Sequence, residues 1–267
     1  DIRPSRGLGD VYKRQRVRYI KGDTRNIYKL IKKPNQIKTI FHFGEFSRIY
    51  QSFLNMNECI ESNTVGSNSI FNFCLKNKIK LIYSATSASL GNKGDDKNLS
   101  PYAFSKAKNL ELLENLKKWF NFKYEVIYFY NVYGPRQITT GSMATVIGIF
   151  ENCYIKNKPL TVVRPGTQTR RFTHIDDTVK ICYEAWKKNR CRYYSISHKK
   201  SYSINSVAKM FGTKIVYVKS RLGERYASAL TKISQNNQII SKFGKINLKD
   251  YITSVSYTHL RAHETVV

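Results

Sequence analysis

The stretch that decides the fold is residues 80–106, KLIYSATSASLGNKGDDKNLSPYAFSK. Lys80–Tyr83 is a short apolar run of the kind found in buried parallel strands. Ser100 and Pro101 are residue types preferred at the N-cap and at the first position of a helix, so we predict a helix that runs to about Phe120. The stretch therefore predicts a strand, a connecting loop and a helix.

The same alternation continues outward on both sides of this stretch. Short apolar runs predict further strands, and the segments between them predict helices. The predicted elements are strands at Val17–Ile20, residues 39–43 and Glu125–Tyr130, and helices at Asn26–Lys33, stopped by Pro34, and Met56–Lys78. Strands and helices that alternate at this spacing are typical of a doubly wound α/β sheet.

The second half of the chain has shorter and looser segments. They are predicted strands at Leu160–Val163, Tyr193–Ile196 and Ile215–Val218, and predicted helices at Asp176–Lys187 and Ser203–Met210. We expect a sheet domain over residues 16–135 and a smaller C-terminal lobe over residues 136–254, of which residues 171–190 pack back on the sheet. Residues 1–15 and 255–267 are poorer in Lys and Asn and continue no periodic pattern, so we expect these tails to carry no function.

The charge of the chain is strongly basic, with 46 Lys and Arg against 18 Asp and Glu and a net charge of +28. Such a charge favours phosphate contacts with nucleic acid, or attraction of small anionic substrates. The lysines, however, are scattered singly and in pairs, and the sequence has no nucleic-acid recognition motif. We expect compositional bias and no nucleic-acid partner, with a basic nucleic-acid-binding protein on an inactive scaffold as the alternative.

The cysteines and the hydropathy exclude further classes of protein. The five cysteines form no Cys-x-x-Cys pair and have no spacing typical of a metal site, so we expect reduced thiols, no metal and a cytoplasmic protein. No run approaches the roughly 20 apolar residues that a membrane helix needs, so we expect no membrane span.

Three side chains in the deciding stretch form a candidate catalytic group. Tyr102 and Lys106 are four residues apart, so on a helix they share a face. A phenol has a pKa of about 10 in water, and a nearby ammonium lowers it, which allows proton exchange with a substrate hydroxyl near neutral pH. Thr86 follows a strand, at the sheet end where α/β proteins bind ligands, and we expect it to bind the same oxygen.

Six segments in order resemble a known family. They are residues 41–44 (FHFG), residues 63–67 (NTVGS), Thr86 at its strand end, residues 100–106 (SPYAFSK), residues 130–136 (YNVYGPR) and residues 170–177 (RRFTHIDD). Together they resemble the extended short-chain dehydrogenases/reductases, and most closely the NAD-dependent nucleotide-sugar epimerases and dehydratases. The resemblance covers roughly Arg16 to Ile252 and implies a Rossmann-like sheet with a substrate-binding lobe.

The resemblance implies roles for matching residues in catalysis and cofactor binding. Tyr102 matches the catalytic base and acid, Lys106 its partner, and Thr86 the hydroxyl member of the triad. The remaining positions implied to bind NAD, besides Tyr102 and Lys106, are Asp23 at the adenine end and Phe43, Gly44 and Asn63 along the site.

The resemblance also implies three substrate-binding residues. Asn131 and Arg170 match positions that bind the substrate diphosphate, a task suited to the planar fork of arginine. Arg221 resembles a second nucleotide-binding arginine. The implied partners are a nucleotide-diphosphate sugar and a second copy of the chain, since the family pairs through two long helices, here residues 56–78 and 101–120.

The sequence departs from the family pattern at its start. The family begins with a strand, a Gly-x-x-Gly-x-x-Gly turn and a helix that takes the pyrophosphate, and no such turn occurs in these 267 residues. We therefore expect a chain that lacks the first βαβα segment, roughly 50 residues judging from the size of βαβ units, and that binds NAD poorly. Its sheet would then expose a strand edge.

A second departure bears on the reaction. Ser87 and Ala88 stand where the 4,6-dehydratases have Asp and Glu, which argues against dehydration. The resemblance then implies an epimerase that works through a transient keto-sugar, with this chain inactive if the cofactor does not bind. A dehydratase or a reductase of the same family is the alternative.

Overall fold

The computed structural model describes residues 18–89, 98–188, 190, 193–223 and 239–255. The strands in chain order are β1 (Thr39–His42), β2 (Lys80–Thr86), β3 (Tyr124–Phe129), β4 (Val132–Tyr133), β5 (Leu160–Val163), β6 (Thr169–Arg171), β7 (Thr173–His174), β8 (Tyr193–His198), β9 (Ser201–Ser203), β10 (Ile215–Val218) and β11 (Ile239–Gly244). The tail predicted at residues 1–15 lies outside the described residues, and so does the tail predicted at residues 255–267 except for Val255, which belongs to a helix.

The helices connect these strands. They are α1 (Ile27–Leu30), α2 (Ile49–Leu54), α3 (Met56–Ile60), α4 (Ser67–Lys76), α5 (Pro101–Phe120), α6 (Val146–Ile155), α7 (Ile175–Lys188), α8 (Ile204–Met210) and α9 (residues 248–255). A π-helical segment, Glu61–Gly66, joins α3 to α4, so the predicted helix from Met56 onward is one continuous helical run.

The main sheet has five parallel strands in the order β1-β2-β3-β8-β11. Side chains alternate between its two faces, as the pleat requires. On one face, Leu81 and Val126 join a core with Phe71 and Phe73 of α4 and Leu113 of α5. A parallel sheet with helices packed on it confirms the predicted α/β class.

The other face of the sheet is covered by α7. Ile181 and Ala185 of this helix are buried against Ile82 of β2, Ile127 of β3 and Tyr194 of β8. Both faces of the central strands are therefore buried, and only their ends are available for ligands.

Helix α5 begins as its sequence predicts. The Ser100 hydroxyl accepts a hydrogen bond from the Ala103 amide at 3.1 Å, and Pro101 occupies the first turn. The helix ends at Phe120, where Asn121 takes a left-handed conformation with φ of 53°. This cap fixes the first turn of α5, which carries Tyr102 and Lys106.

The second half of the chain builds a smaller core of its own. Strands β5 and β10 pair in parallel, β4 pairs with β7, and β6 pairs with β9. The buried apolar residues of this core come from α6, α8 and α9 as well as from β5, and include Phe150, Leu160, Val207 and Leu248.

Three local predictions are wrong. Residues 18–20 form no strand, because they are exposed and pair with no strand among the described residues. The helix predicted at Asn26–Lys33 ends at Leu30, three residues early, and Pro34 opens a short 3-10 turn instead. The sequence predicts the strand Tyr193–Ile196 within the smaller lobe, but as β8 it pairs with β3 inside the main sheet.

Candidate active site

A cavity of about 540 Å³ opens at the carboxyl ends of β2 and β3. Ligands bind at this edge of open α/β sheets because the loops that follow the strands diverge there. Seven of the ten predicted site residues line the cavity: Phe43, Thr86, Tyr102, Lys106, Asn131, Arg170 and Arg221. Residues from both halves of the chain thus meet in one site.

Tyr102 and Lys106 stand on the first turns of α5, and both side chains face the cavity. Both residues are buried, with 8% and 3% of their surface exposed. The backbone amide of Tyr102 donates to the Ser52 hydroxyl of α2 at 3.3 Å, which ties the start of α5 to the neighbouring helix. The predicted helical spacing therefore brings phenol and ammonium to the same wall.

The Lys106 ammonium is held from several sides. It donates to the Ser84 carbonyl and to the Glu45 carboxylate, and it lies 4.5 Å from the centre of the Tyr83 ring. Burial lowers the pKa of Lys106, and the charge and hydrogen bond of Glu45 work against that shift. Glu45 is thus the carboxylate that opposes the effect of burial on the pKa of Lys106.

Thr86 is the last residue of β2 and lines the same cavity. The Ala88 amide donates to its hydroxyl oxygen at 3.1 Å, which orients the side chain at the strand end. The predicted strand was shorter than the observed one, so Thr86 belongs to the strand and does not follow it.

Two of the predicted substrate-binding residues that line the cavity are arginines. Arg170 lies in β6, and Arg221 stacks over the Tyr50 ring at 5.3 Å. Asn131 has a positive φ of 34°, and its amide donates to the Arg171 carbonyl at 2.8 Å, which ties it to the strand that carries Arg170.

Arg48 is a fourth cavity cation that the sequence analysis missed. Its guanidinium donates to the Met143 carbonyl at 3.1 Å, and burial lowers its pKa while the nearby Tyr102 opposes that shift. No motif marks Arg48; only the fold brings residues 48 and 143 together.

The four residues predicted to bind NAD, other than Tyr102 and Lys106, occupy different places. Phe43 lines the cavity and Gly44 adjoins it, where a Cβ would have open space. Asn63 is fully buried behind the wall, bound to Phe46 and Ser105. Asp23 caps the 3-10 turn at Thr24–Asn26 away from the cavity and pairs with Arg25.

Glu45 is the second residue that sequence reasoning missed. It is the only acidic residue among the described residues that line the cavity, and its side chain is 2% exposed. Four basic residues line the same cavity, so the site carries an excess of positive charge. Such a cavity suits an anion with several oxygen atoms.

His42 of β1 lies near Glu45, and its burial predicts how the stability of the fold depends on pH. Burial lowers its pKa to about 4, and its Nε2 lies 2.9 Å from the Ser67 hydroxyl. The unfolded chain binds more protons on this residue than the folded one between about pH 4 and 6.5, so stability falls as pH drops through that window. We expect the loss to reach about 3 kcal/mol.

The measurement is urea unfolding between pH 4 and 7. His42→Gln should flatten the dependence, whereas His198→Gln, at the end of β8, should leave it as in the wild type. Equal slopes in the wild type and in His42→Gln would contradict the prediction.

Metal and membrane features are lacking within the part of the chain that the structure describes. No group of three or more His, Cys, Asp or Glu there is arranged to hold a metal ion. None of the described helices combines the length and the hydropathy of a transmembrane span.

Comparison with known proteins gives consistent matches. The model of the NAD dependent epimerase/dehydratase family matches residues 5–197. A dTDP-D-glucose 4,6-dehydratase of Dictyostelium discoideum is 27% identical over 64% of this chain and 44% of the relative. A putative UDP-glucose 4-epimerase of Methanocaldococcus jannaschii is 32% identical over 48% of this chain and 43% of the relative. The chain spans about half the length of these relatives.

Solved structures share the fold. The UDP-glucuronic acid 4-epimerase of Bacillus cereus, in complex with UDP-glucuronic acid and NAD, gives a TM-score of 0.77 at 21% identity, over 96% of this chain and 85% of that one. A dTDP-glucose 4,6-dehydratase of Streptomyces venezuelae with NAD bound gives a TM-score of 0.80 at 18% identity, over 94% of this chain and 82% of that one.

Proposed function

This chain belongs to the NAD-dependent epimerase/dehydratase family, and we propose that it epimerises a nucleotide-diphosphate sugar through a transient keto-sugar. The observation that carries the proposal is the meeting of Tyr102, Lys106 and Thr86 in one cavity with Arg170 and Arg221. Acid–base groups and two arginines that line the same cavity match a substrate with a reacting hydroxyl and a diphosphate.

In this proposal Tyr102 moves the proton. Its phenolate takes the proton of the sugar hydroxyl while the carbon loses a hydride, and its phenol returns the proton after the keto-sugar has turned its other face. Lys106 stabilises the phenolate as a buried cation, and Thr86 holds the sugar oxygen by a hydrogen bond.

The residues present fit the nicotinamide end of NAD. Gly44 leaves open space beside the cavity, Phe43 offers a half-exposed ring, and Lys106 offers an ammonium for ribose hydroxyls. Bound NAD would supply the hydride acceptor for the oxidation and the hydride donor for the return step. Asp23 and Asn63 stay proposals for the cofactor site, at the adenine end and in the supporting wall.

The substrate diphosphate is proposed to lie against Arg170, Arg221 and Asn131. A guanidinium binds two phosphate oxygens in its plane, which gives orientation as well as charge. Arg48 adds a further positive charge near Tyr102. This excess of cations favours a substrate with two negative charges over a neutral sugar.

Two side chains of the wall favour epimerisation over dehydration. Ser87 and Ala88 line the cavity directly after Thr86, and neither can act as a strong acid or base. Elimination of water needs such a pair beside the sugar. A dehydratase or reductase of the same family is the second candidate. Among the described residues, Glu45 is the one carboxylate that lines the cavity and could take part in such a reaction.

The test is NADH binding followed by turnover. NADH fluorescence is measured with this chain and with a chain preceded by a glycine-rich βαβα segment of a family member. UDP-glucose, UDP-glucuronic acid and dTDP-glucose are then offered with NAD. We expect the extended chain to bind NADH tightly and to epimerise one sugar, and this chain to bind NADH weakly. Lack of both binding and turnover in the extended chain would overturn the proposal.

We also propose a homodimer formed through the helical run from Met56 and helix α5. Met56, Val65 and Phe104 are apolar residues of these segments that are about half exposed. We expect Phe104→Glu to give monomers, because a dimer would bury the introduced carboxylate. Light scattering after size exclusion measures the mass, and Tyr217→Glu is the control. If Phe104→Glu still has the mass of a dimer, the proposed interface is wrong.

A further inference from the structure

Glu45 is the centre of a buried hydrogen-bond network beside the cavity. It follows β1 in the chain, and one of its oxygens accepts from the Lys106 ammonium. The other accepts from the Tyr83 phenol at 3.0 Å, from the Asn109 amide at 3.2 Å and from the Ser67 hydroxyl. Donors on β2, α4 and α5 thus fix one carboxylate in a single position.

The loop that carries Glu45 is itself clamped to α5. Asn63 accepts from the Phe46 amide at 2.7 Å and donates to the Phe46 carbonyl at 3.0 Å and to the Ser105 hydroxyl at 3.1 Å. The Asn109 amide also donates to the Asn63 carbonyl at 2.6 Å. The network therefore sets the distance between the Glu45 loop and the turn of α5 that carries Lys106.

A buried ammonium needs such a partner. Burial favours the neutral amine, and the other groups that hold Lys106, the Ser84 carbonyl and the Tyr83 ring, carry no full charge. Glu45 is the one acidic residue that lines the cavity in the described part of the chain, so no second carboxylate there replaces it.

We propose that Glu45 is a positioning residue of the active site, which holds Lys106 in place and charged so that the ammonium can support Tyr102. The inference rests on the proposed function for the role of Lys106 and Tyr102. Glu45 acts through Lys106, so its removal should change the protonation of the lysine and not only the packing around it.

The neighbouring titratable groups leave a clear pH window for a test. His42, Cys59 and Tyr83 neighbour this pair from β1, α3 and β2, and Tyr102 lines the same cavity from α5. Burial lowers the pKa of His42 to about 4, raises that of Cys59 to about 11 and raises that of Tyr83 well above its ordinary value. His42, Cys59 and Tyr83 therefore keep their protonation in the folded protein between pH 6 and 9. Their contribution to the pH dependence of the unfolding free energy cancels when two variants are compared.

The experiment is urea unfolding of the wild type and of Glu45→Gln at pH 7 and pH 9. Without the carboxylate, burial should turn Lys106 into an amine, while the unfolded chain keeps this lysine protonated up to about pH 10. The folded variant then binds fewer protons than the unfolded one, so its stability rises with pH. We expect the unfolding midpoint of Glu45→Gln to lie below that of the wild type at pH 7 and the gap to narrow at pH 9.

The double variant Glu45→Gln/Lys106→Met is the matched control. The difference between its unfolding midpoint and that of the wild type should not change with pH. If the difference in unfolding midpoint between Glu45→Gln and the wild type is the same at pH 7 and pH 9, the proposal is overturned. Should Glu45→Gln be unfolded at pH 7, we expect near-UV circular dichroism to show folding at pH 9, and failure to fold there would equally overturn it.

Turnover separates this inference from the proposed function. In the chain that converts a nucleotide sugar, Glu45→Gln should lower kcat by roughly tenfold or more with little change in KM, because oriented groups act in the reaction step. Glu45→Asp should restore part of the loss. The unfolding comparison needs no turnover, so a difference in midpoint that does not change with pH contradicts the role of Glu45 alone. A wild type that converts no sugar contradicts only the proposed function. Unchanged kcat in Glu45→Gln would also overturn the proposal.

Discussion

Replacing Tyr102 by phenylalanine should lower turnover of the nucleotide sugar by about 10²- to 10⁴-fold, the usual contribution of a positioned acid–base group. The substitution removes one oxygen atom and keeps the ring, so the wall of the cavity is preserved. Because the diphosphate is proposed to bind at Arg170 and Arg221, KM should change far less than kcat. Initial rates with the converted sugar, in the chain that turns it over, measure both constants.

The matched control is Tyr183→Phe, which removes the same atom from an exposed tyrosine of α7. This tyrosine does not line the cavity, so its loss should leave kcat and KM as in the wild type. Turnover by Tyr102→Phe within a few-fold of the wild type would show that another group moves the proton. Glu45, which also lines the cavity, would then be the next residue to replace.

The sequence predicts the part of the site that local chemistry determines. The hydroxyl of Ser100 and the ring of Pro101 fix where α5 begins, so the shared face of Tyr102 and Lys106 follows from spacing alone. The compact apolar run before Thr86 predicts a strand, and therefore predicts that Thr86 lies at the sheet edge. In each of these cases the signal lies within a few residues of the group it positions.

The missed features depend on contacts between distant parts of the chain. Glu45 reaches Lys106 across 61 positions, and Arg48 reaches Met143 across 95. A single sequence carries no periodic signal for such pairs. The same limit explains β8, whose short pattern predicts a strand but not the strand beside which it lies.

Domain boundaries and tails stay predictions for a related reason. Strands β8 and β11 extend the sheet that the first half of the chain begins, so the chain crosses between the two predicted regions more than once. The predicted segments become shorter near residue 136, but their pattern does not show which later strands return to the first sheet.

Replacing Lys106 by methionine should destabilise the protein by about 3–5 kcal/mol, the cost typical of removing one partner from a buried ion pair. The Glu45 carboxylate would remain in a site where its side chain is 2% exposed. Tyr83, Asn109 and Ser67 still donate to it, but neutral donors offset only part of the missing ammonium charge. The free energy of unfolding in urea measures the effect.

The double variant Lys106→Met/Glu45→Gln decides whether the cost comes from charge or from shape. Both single changes nearly preserve volume, so loss of packing should be small and should add between the sites. If the unpaired carboxylate is the cause, the double variant should be more stable than Lys106→Met, because glutamine leaves no buried charge. A double variant less stable than Lys106→Met would mean that Lys106 stabilises the fold through its packing, and that the pair with Glu45 contributes little. Since Lys106 is proposed to support Tyr102 in the reaction, the same measurement states how much the stability of the fold depends on this lysine.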